Sequence, residues 1–425
     1  MRNKFNLCLS AFLFVILISF QIPDLLYAQW VKQNAPVQGL LSDVFFINSN
    51  TGWACTITSS GNDTSFILKT TNGGTNWFRQ YFGIGHAYRT IYVVDINTVF
   101  CGGEILPSHL PLLMKTTDGG FNWINKAPPS CVYDIYFANE DSGWYSAPNS
   151  TPQMRTTTDG GTTWQVRSSG ITSSLFIISF LNYQTGFVSG YCYVFKTTNA
   201  GMNWTPTGTF YSTISSMFFL NQNYGWAGLA SGKVAHTNNG GFDWILQSTP
   251  AEGSPYGVTD LYFFNNMYGY AGSVSPKVLK TFNGGVTWGY QIDSGYAERL
   301  NFIDSLTGWT VYNSISKTTN GGGSIIYVGF NQTSVSSASS FKLYQNYPNP
   351  FNPSTTIKVD IAKASETSLY IYDMLGRVVY KIENQYLNAG SHEFVWNADE
   401  LCSGVYMAKI IAGNFSDSKK MILVR

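Results

Sequence analysis

Charge is scarce in this chain: only 12% of its 425 residues are Asp, Glu, Lys or Arg, and the formal net charge is +1. Proteins that bind nucleic acid neutralise phosphates with a stripe or patch of basic side chains. The sequence has no such stripe, so we expect no nucleic-acid partner. Histidine is also rare, with four residues, and His86 and His109 have no metal-ligand spacing.

Cysteine offers little chemistry either. The chain has six cysteines, and none has the Cys-x-x-Cys spacing of a metal site. We therefore expect no metal and no cofactor. Cys55, Cys101, Cys131 and Cys192 lie in or beside predicted strands, where a small buried thiol is common, although a disulfide stays possible. Phosphate-loop and Gly-x-Ser-x-Gly patterns are also missing.

Long apolar runs are missing after the first 28 residues. Arg2 and Lys4 precede an apolar stretch over 9–20 that is too short to span a bilayer comfortably, and Leu26-Tyr27-Ala28 forms an acceptable cleavage site. Residues 1–28 are thus predicted to be a signal peptide. The mature chain would reach the periplasm without a transmembrane segment.

What the chain does have is a repeated turn. The phrase Thr-(Asn/Asp)-Gly-Gly, or a close variant, occurs seven times with a period of 37 to 46 residues, and six copies are followed by Trp. Asn or Asp before Gly is a strong signal for a hairpin, because these residues tolerate positive φ. The residues that define the six complete copies are Asn72, Gly74 and Trp77; Asp118, Gly120 and Trp123; Asp159, Gly161 and Trp164; Asn199, Gly201 and Trp204; Asn239, Gly241 and Trp244; and Asn283, Gly285 and Trp288.

A second motif runs in phase with this turn. It is a short apolar strand followed by a polar turn, a glycine and an aromatic residue, as in 43–46 leading to Gly52-Trp53. Each unit therefore contains four strands. A period near forty residues with four strands predicts an all-β fold, a seven-bladed β-propeller over 29–330.

The seventh turn, at 319–322, has no Trp after it. The segment that begins Gln29-Trp30 resembles the one that begins at Trp77, so we predict that residues 29–34 supply the outer strand of blade seven. Joining both ends of the chain in one sheet would close the ring and remove an open edge. Residues 325–328 are the alternative for this strand.

The composition of the sequence changes after residue 330. Residues 331–341 are rich in serine and read as a linker. Three prolines between 348 and 353 exclude a helix there, and short alternating apolar runs follow. Residues 342–425 are predicted to form a small C-terminal β-sandwich.

The C-terminal segments 347–351, 371–377, 404–406 and 419–424 resemble the type A C-terminal sorting domain of the type IX secretion system. The motif residues are Pro348, Asn349, Pro350, Phe351, Gly376 and Arg377. The resemblance implies that the type IX secretion machinery is a partner of this domain. It also implies a protein that is secreted or held at the outer-membrane surface of a Gram-negative bacterium, by way of the periplasm.

The repeated turn with its Trp resembles the Asp-box, also called the bacterial neuraminidase repeat (BNR). The tandem form, with one copy per blade, is similar to the photosystem II assembly-factor-like family of propellers. In such families the box is an element of the fold away from any catalytic centre. The resemblance therefore implies a shape and leaves the chemistry open.

Sialidase chemistry fits the sequence poorly, because it needs three arginines around the substrate carboxylate. Of the five arginines in the predicted propeller, only Arg89 and Arg299 are expected to precede inner strands near a channel mouth. Other glycoside hydrolases need two carboxyl groups across a groove. Glu104 and Glu298 lie outside the repeat, in predicted loops. Three aspartates occupy the same position in three of the repeats, which suggests a structural role: Asp43, Asp134 and Asp260.

We therefore predict a non-catalytic, exported binding scaffold, with Arg89, Glu104, Glu298 and Arg299 as candidate binding residues at the channel mouth. The partner would be a protein, a peptide or a glycan. The alternative is a polysaccharide-cleaving glycoside hydrolase of the Asp-box propeller type, in which Glu104 or Glu298 works with an aspartate.

Overall fold

A computed structural model describes residues 30–37, 39–148, 153–323, 325–327, 331–334, 338–398 and 401–424. Every regular element in these ranges is a β-strand, so the all-β prediction is confirmed. Within the same ranges there is no helix that is apolar and long enough to cross a membrane. The predicted signal peptide, 1–28, lies outside the described residues.

Seven antiparallel sheets follow one another between residues 31 and 327, each built around one sequence repeat. The chain begins with β1 (Val31–Lys32), and the first sheet contains β2 (Leu40–Phe46), β3 (Gly52–Ile57), β4 (Thr64–Thr70) and β5 (Phe78–Ile84). The second contains β6 (His86–Val93), β7 (Val99–Ile105), β8 (Leu110–Thr116) and β9 (Ile124–Asn125). The third contains β10 (Asp134–Phe137), β11 (Gly143–Ala147), β12 (Gln153–Thr157) and β13 (Gln165–Val166).

The remaining four sheets have the same plan. The fourth contains β14 (Ile177–Phe180), β15 (Gly186–Gly190), β16 (Tyr193–Thr197) and β17 (Thr205–Thr209), and the fifth contains β18 (Ile214–Phe219), β19 (Gly225–Leu229), β20 (Val234–Thr237) and β21 (Ile245–Gln247). The sixth contains β22 (Asp260–Phe263), β23 (Gly269–Gly272), β24 (Lys277–Thr281) and β25 (Gly289–Ile292). The seventh contains β26 (Arg299–Phe302), β27 (Gly308–Val311) and β28 (Ile315–Thr318), with β1 as its fourth strand.

The two ends of the ring meet in the seventh sheet. Strand β1 pairs with β28, with Val31 opposite Lys317, as predicted for residues 29–34. Strand β29 (Ile326–Tyr327) pairs instead with β25 of the sixth sheet, with Ile326 opposite Tyr290. The alternative closure through residues 325–328 is therefore wrong, and the N-terminal strand leaves no open edge on β28.

Trp30 occupies in the seventh sheet the place that the repeat Trp occupies in the others. Its ring meets the Phe302 ring edge-on at 5.7 Å and 85°, and the Trp77 ring meets Phe46 at 5.7 Å and 87°. Trp30 is fully buried. The missing seventh Trp is thus supplied by the segment that precedes the first sheet.

Aromatic stacking between neighbouring sheets explains the glycine of the second motif. Where the next inner strand carries Phe, the aromatic residue after that glycine lies flat on its ring, as Trp226 does on Phe263 at 3.6 Å. In the second sheet Val93 takes the place of this Phe, and it packs in one cluster with Trp53. Trp309 of the seventh sheet stacks on Phe46 of the first in the same way, at 3.5 Å, which closes the ring. A Cβ at Gly52 would lie 2.6 Å from the Phe46 ring, so only glycine fits beside the stacked pair.

The repeated turn is held by the threonine that precedes the phrase. Thr70 Oγ1 accepts a hydrogen bond from Gly74 N at 2.9 Å and donates to Asn72 Oδ1 at 3.1 Å. Gly73 and Gly74 have φ of 68° and 96°, the left-handed region that favours glycine. The same bond from the second glycine is accepted by Thr116, Thr157, Thr197, Thr237, Thr281 and Thr318.

Thr70→Val should destabilise the protein by about 1–2 kcal/mol, because the buried Gly74 N–H loses its acceptor. The neighbouring Thr71 is exposed, so Thr71→Val should change stability by less than about 0.5 kcal/mol. Urea unfolding of both variants checks this expectation. Equal effects at the two positions would contradict the role given to Thr70.

Lysines on the third strands of the first and sixth sheets bond to the repeated turn of the next sheet. Lys69 Nζ donates to the Gly119 carbonyl at 2.6 Å, and Lys280 Nζ donates to the Gly321 carbonyl at 2.7 Å. Lys69 also lies 4.7 Å from the centre of the Trp53 ring. Each cation thus packs on its own sheet and bonds to the neighbouring one.

The C-terminal region forms two four-stranded sheets with a common apolar core. One contains β30 (Asn331–Ser334), β31 (Lys342–Leu343), β32 (Ser354–Ile361) and β35 (Gly390–Asn397), and the other contains β33 (Ser365–Tyr372), β34 (Val378–Leu387), β36 (Gly404–Ala412) and β37 (Phe415–Leu423). Strand β30 falls inside the segment predicted to be a linker and pairs with β35. The alternating burial along β32 matches the predicted sandwich, since its inward side chains Ile357, Val359 and Ile361 are almost fully buried.

Candidate functional site at the mouth of the channel

The inner strands of the seven sheets surround a cavity of about 230 Å³. Each sheet contributes to its lining, through Asp43, Arg89, Tyr133, Phe176, Met217, Asp260 and Arg299 in sheet order. Tyr133, Phe176, Asp260 and Arg299 stand at or just before the start of their inner strands, whereas Asp43, Arg89 and Met217 stand within theirs. We call the rim at these strand starts the mouth of the channel. Of the four candidate residues, Arg89 and Arg299 line the cavity, and Glu104 and Glu298 are not among its lining residues.

The three recurring aspartates hold neighbouring sheets together. One carboxylate oxygen of Asp43, Asp134 and Asp260 accepts from the amide of its own next residue, at 2.8–2.9 Å. The other oxygen accepts from an inner-strand amide of the next sheet, those of Ile91, Ile178 and Leu300, at 2.7–2.8 Å. Their role is structural, as expected, but it joins two sheets rather than capping a turn.

Arg299 stands at the aspartate position of the seventh repeat and is the cation among these carboxylates. Its Nη1 donates to the Thr259 carbonyl at 3.0 Å. Burial raises the pKa of Asp43 to about 7 and that of Asp134 to about 6, although the Arg299 guanidinium acts against both shifts. Burial also raises the pKa of Asp260, again against the same guanidinium. Arg299 therefore lowers the free-energy cost of burying these three carboxyl groups in their ionised form.

Glu104 lies in strand β7 and is buried, so its prediction as a loop residue is wrong. Strand alternation turns its side chain inward, where both oxygens are engaged. Oε1 forms an ion pair with Arg89, and Oε2 lies 2.6 Å from Nδ1 of His109. Burial alone would raise the pKa of Glu104, but hydrogen bonds from Arg89 and His109 lower it overall. An ionised carboxylate whose two oxygens are both hydrogen-bonded positions its neighbours. It has no proton to donate, so it cannot act as a general acid.

Arg89 lies within strand β6, three residues after its start, rather than before the inner strand as predicted. Its guanidinium also packs 4.2 Å from the centre of the Tyr133 ring. The Tyr133 ring contacts Phe176 at 5.9 Å, and Phe176 contacts Tyr191 at 5.1 Å. Tyr191 is 53% exposed. An unbroken path of side chains thus crosses the mouth from the second sheet to the fourth.

We name the six residues Arg89, Glu104, His109, Tyr133, Phe176 and Tyr191 the mouth cluster. The sequence identified Arg89 and Glu104 but missed the other four as parts of a site. One signal was available in the sequence. The position just before the repeated apolar stretch of the inner strand is occupied, in four of the repeats, by Arg89, Tyr133, Phe176 and Glu298. That position differs from repeat to repeat, as expected where the fold does not dictate the side chain.

Glu298 and Arg299 lie in another part of the rim, on the seventh sheet. Burial raises the pKa of Glu298, while the adjacent Arg299 acts to lower it. Arg299 shares the cavity lining with Arg89. No hydrogen bond or ion pair joins Glu104 to Glu298 in the part of the chain that the structure describes. The four candidate residues thus form two groups rather than one constellation.

The described side chains form neither a metal site nor a disulfide. Among the described residues, no group of three His, Cys, Asp or Glu side chains could hold a metal ion. The five described cysteines are free thiols. Cys55 and Cys101 are buried neighbours, and burial raises the pKa of the Cys101 thiol well above its ordinary value. These two thiols act as small core side chains.

The C-terminal region matches a known family. Residues 345–424 match the family described as "Secretion system C-terminal sorting domain" (Por_Secre_tail). A domain of this type implies export by the type IX secretion system, and hence a secreted or cell-surface protein of the Bacteroidetes. No curated protein matches the chain.

Solved propellers resemble the N-terminal region. The structure "YCF48 bound to D1 peptide" is 18% identical with a TM-score of 0.57, over 70% of this chain and 98% of its own. YCF48 from Cyanidioschyzon merolae is 16% identical with a TM-score of 0.55, over 70% and 100%. The WD40 propeller domain of Doa1 is 9% identical with a TM-score of 0.52, over 68% and 97%. At these identities the likeness establishes the propeller fold.

Proposed function

We propose that this exported chain, which carries a C-terminal sorting domain, is a non-catalytic binding scaffold whose ligand sits on the mouth cluster. A signal peptide over 1–28 would take it to the periplasm before the sorting domain acts. The observation that carries the proposal is the continuous path from Arg89 through Tyr133 and Phe176 to Tyr191. Aromatic and arginine side chains held in place by neighbours are the residues that dominate binding energies.

Backbone geometry supports the same surface. His109 and Tyr191 have φ of 51° and 48°, a region that non-glycine residues seldom adopt. Both lie in connections between the second and third strands of their sheets. Such conformations cost free energy and concentrate at binding sites. Both strained residues lie at the mouth, and the ion pair of Glu104 and Arg89 orients His109. Their position there is consistent with a role in binding a ligand.

Peptides and glycans are the ligand classes that fit this surface. Each presents apolar faces to aromatic rings and polar groups to Arg89 and His109. A peptide is further supported by the similar propeller that is described as bound to one. The mixed aromatic and polar character of the cluster is also the usual composition of small binding sites.

Arrays of peptides and glycans probed with the full chain test the proposal. Tyr191→Ala should weaken the binding found by at least about tenfold, because an exposed aromatic anchor contributes about 1.4 kcal/mol or more. Phe121→Ala is the matched control, since Phe121 is 87% exposed on a repeat turn and is not part of the mouth cluster. Equal losses for the two variants, or no ligand in either array, would contradict the proposal.

The hydrolase alternative now depends on Glu298. Its raised pKa suits a general acid, and the neighbouring Asp260 is the nearest candidate for a second carboxyl group. Both Asp260 oxygens, however, accept backbone amides. Hydrolysis of a polysaccharide that Glu298→Gln abolishes would replace the binding proposal with this alternative.

A further inference from the structure

We propose that a guanidinium group binds between the sixth and seventh sheets, on a site formed by Tyr256, Tyr296, Tyr312 and Glu298. We name these four residues the tyrosine site. Tyr256 lies in the connection that leads into β22. Tyr296 and Glu298 lie in the connection that leads into β26, and Tyr312 lies between β27 and β28. The site shares no residue with the mouth cluster, so this inference is independent of the ligand proposed there.

Hydrogen bonds tie together the three connections that carry these side chains. The Tyr296 amide donates to Oδ1 of Asn313, in the connection between β27 and β28, at 3.0 Å. The Glu298 carbonyl accepts from Thr259 Oγ1 at 2.8 Å, and Thr259 follows Tyr256 by three residues. The site is therefore formed before a ligand arrives, and little conformational entropy is lost on binding.

The rings of the site offer faces on which a planar cation can stack. Those of Tyr296 and Tyr312 are parallel to within 2°, with their centres 6.2 Å apart. Tyr256 is 57% exposed and Tyr296 is 39% exposed. None of the three belongs to the two repeated motifs, so the stacking between sheets does not require them. A guanidinium is planar and stacks on aromatic faces, which attract its charge.

Glu298 places a carboxylate beside these rings. Burial raises the pKa of the Tyr312 hydroxyl, and the nearby charge of Glu298 raises it further. Burial also raises the pKa of Glu298 itself, while Arg299 and Asp260 act on it through charge and without a hydrogen bond. Among the residues with described positions, none donates a hydrogen bond to this carboxylate. Both of its oxygens can thus accept from a guanidinium, which binds carboxylates through two parallel hydrogen bonds.

The balance of charge around the site also favours a cation. Arg299 is the only guanidinium that faces four carboxyl groups in the described part of the ring, those of Asp260, Asp43, Glu298 and Asp134. Arg89, which lines the same cavity, is already paired with Glu104. An excess of carboxyl groups attracts cations and disfavours anions. A neutral sugar could stack on the rings but would make no use of this charge.

Titration of the full chain with blocked tripeptides, followed by calorimetry, tests the inference. The first probe is acetyl-Gly-Arg-Gly-amide. In the second, citrulline replaces arginine, which keeps the shape of the side chain and removes its charge, and in the third, lysine replaces it. We expect the citrulline peptide to bind at least tenfold more weakly than the arginine peptide, and the lysine peptide at least threefold more weakly, since an ammonium neither stacks nor binds in two places.

Agmatine separates the two sources from which a guanidinium could come. It carries the group without a peptide backbone. An affinity equal to that of the arginine peptide would assign the site to free guanidino compounds, and a weaker one would assign it to an arginine of a peptide or protein.

Variants of the chain complete the test. Glu298→Gln should weaken binding of the arginine peptide at least tenfold, whereas Glu140→Gln, which removes the same charge at an exposed position outside the site, should not. Tyr296→Leu should weaken it at least threefold, and Tyr296→Phe should preserve it, because the ring face makes the contact. Equal binding of the arginine and citrulline peptides by the wild type, equal losses for the two Glu variants, or no binding of any guanidinium probe would overturn the proposal.

Discussion

Trp30→Ala is expected to destabilise the propeller by about 3–5 kcal/mol, the cost of removing a fully buried Trp from a core. The Trp30 ring packs edge-on against Phe302 and Tyr270, and its Nε1 donates to Gln291 Oε1 at 3.3 Å. This loss is a large share of the 5–15 kcal/mol typical of a domain. It also loosens β1, the strand that joins the N-terminus to the last sheet.

Trp204→Ala is the matched comparison, because Trp204 meets Phe180 edge-on at 6.1 Å and 89° inside an ordinary repeat. The two variants should lose similar stability in urea unfolding followed by circular dichroism. Val31→Ser, at a 57% exposed position of the same strand β1, should have little effect. A loss below about 1 kcal/mol for Trp30→Ala, with the full loss for Trp204→Ala, would show that the seventh sheet does not depend on its N-terminal strand.

The fold could be predicted from the sequence at positions where a contact can be made by only one type of residue. Gly52 is needed because the ring of Phe46, in the same sheet, lies against it. That ring also stacks on Trp309 of the seventh sheet, so the Gly-aromatic motif reports the stacking between sheets. Contacts without a fixed residue type were not predictable. The bond from Lys69 to the Gly119 carbonyl crosses between sheets, and β29 joins the sixth sheet through backbone atoms that any sequence supplies.

The candidate site was predictable only in part, for a related reason. Arg89 and Glu104 stood out because they do not fit the repeat, but their ion pair depends on the extent of β6 and β7. Glu104 was expected in a loop, and the extension of β7 to Ile105 turns it inward toward His109. Tyr133 and Phe176 did not stand out in the sequence, since composition alone cannot distinguish a ring at the rim from one in the core.

Arg299→Gln is expected to destabilise the protein by about 3 kcal/mol at pH 8 and by about 1 kcal/mol or less at pH 5. The variant leaves Asp43, Asp134 and Asp260 around the channel without their cation. At pH 8 all three must be ionised or take up a proton at a cost. At pH 5 the pKa of Asp43, about 7, and that of Asp134, about 6, already keep these groups largely protonated.

The direction follows from proton linkage. The folded pKa values of Asp43 and Asp134 lie above the ordinary value of 3.8, so between about pH 4 and pH 7 the folded state binds more protons than the unfolded state. Their contribution to stability is therefore fully present below about pH 4 and is lost as pH rises through 6 to 7. Without Arg299 these pKa values rise further, so the variant continues to lose stability above about pH 6 to 7, where the wild type levels off.

Thermal unfolding of the wild type and the variant between pH 5 and pH 8 measures this difference. Arg79→Gln is the control, because Arg79 lies on the outer strand β5 and donates to the Pro36 carbonyl at 3.0 Å, with no carboxylate partner among the described residues. Its effect should be the same at both pH values. If the cost of Arg299→Gln were likewise independent of pH, the guanidinium would act through packing alone, and the three carboxylates would be held by their backbone amides without help from its charge.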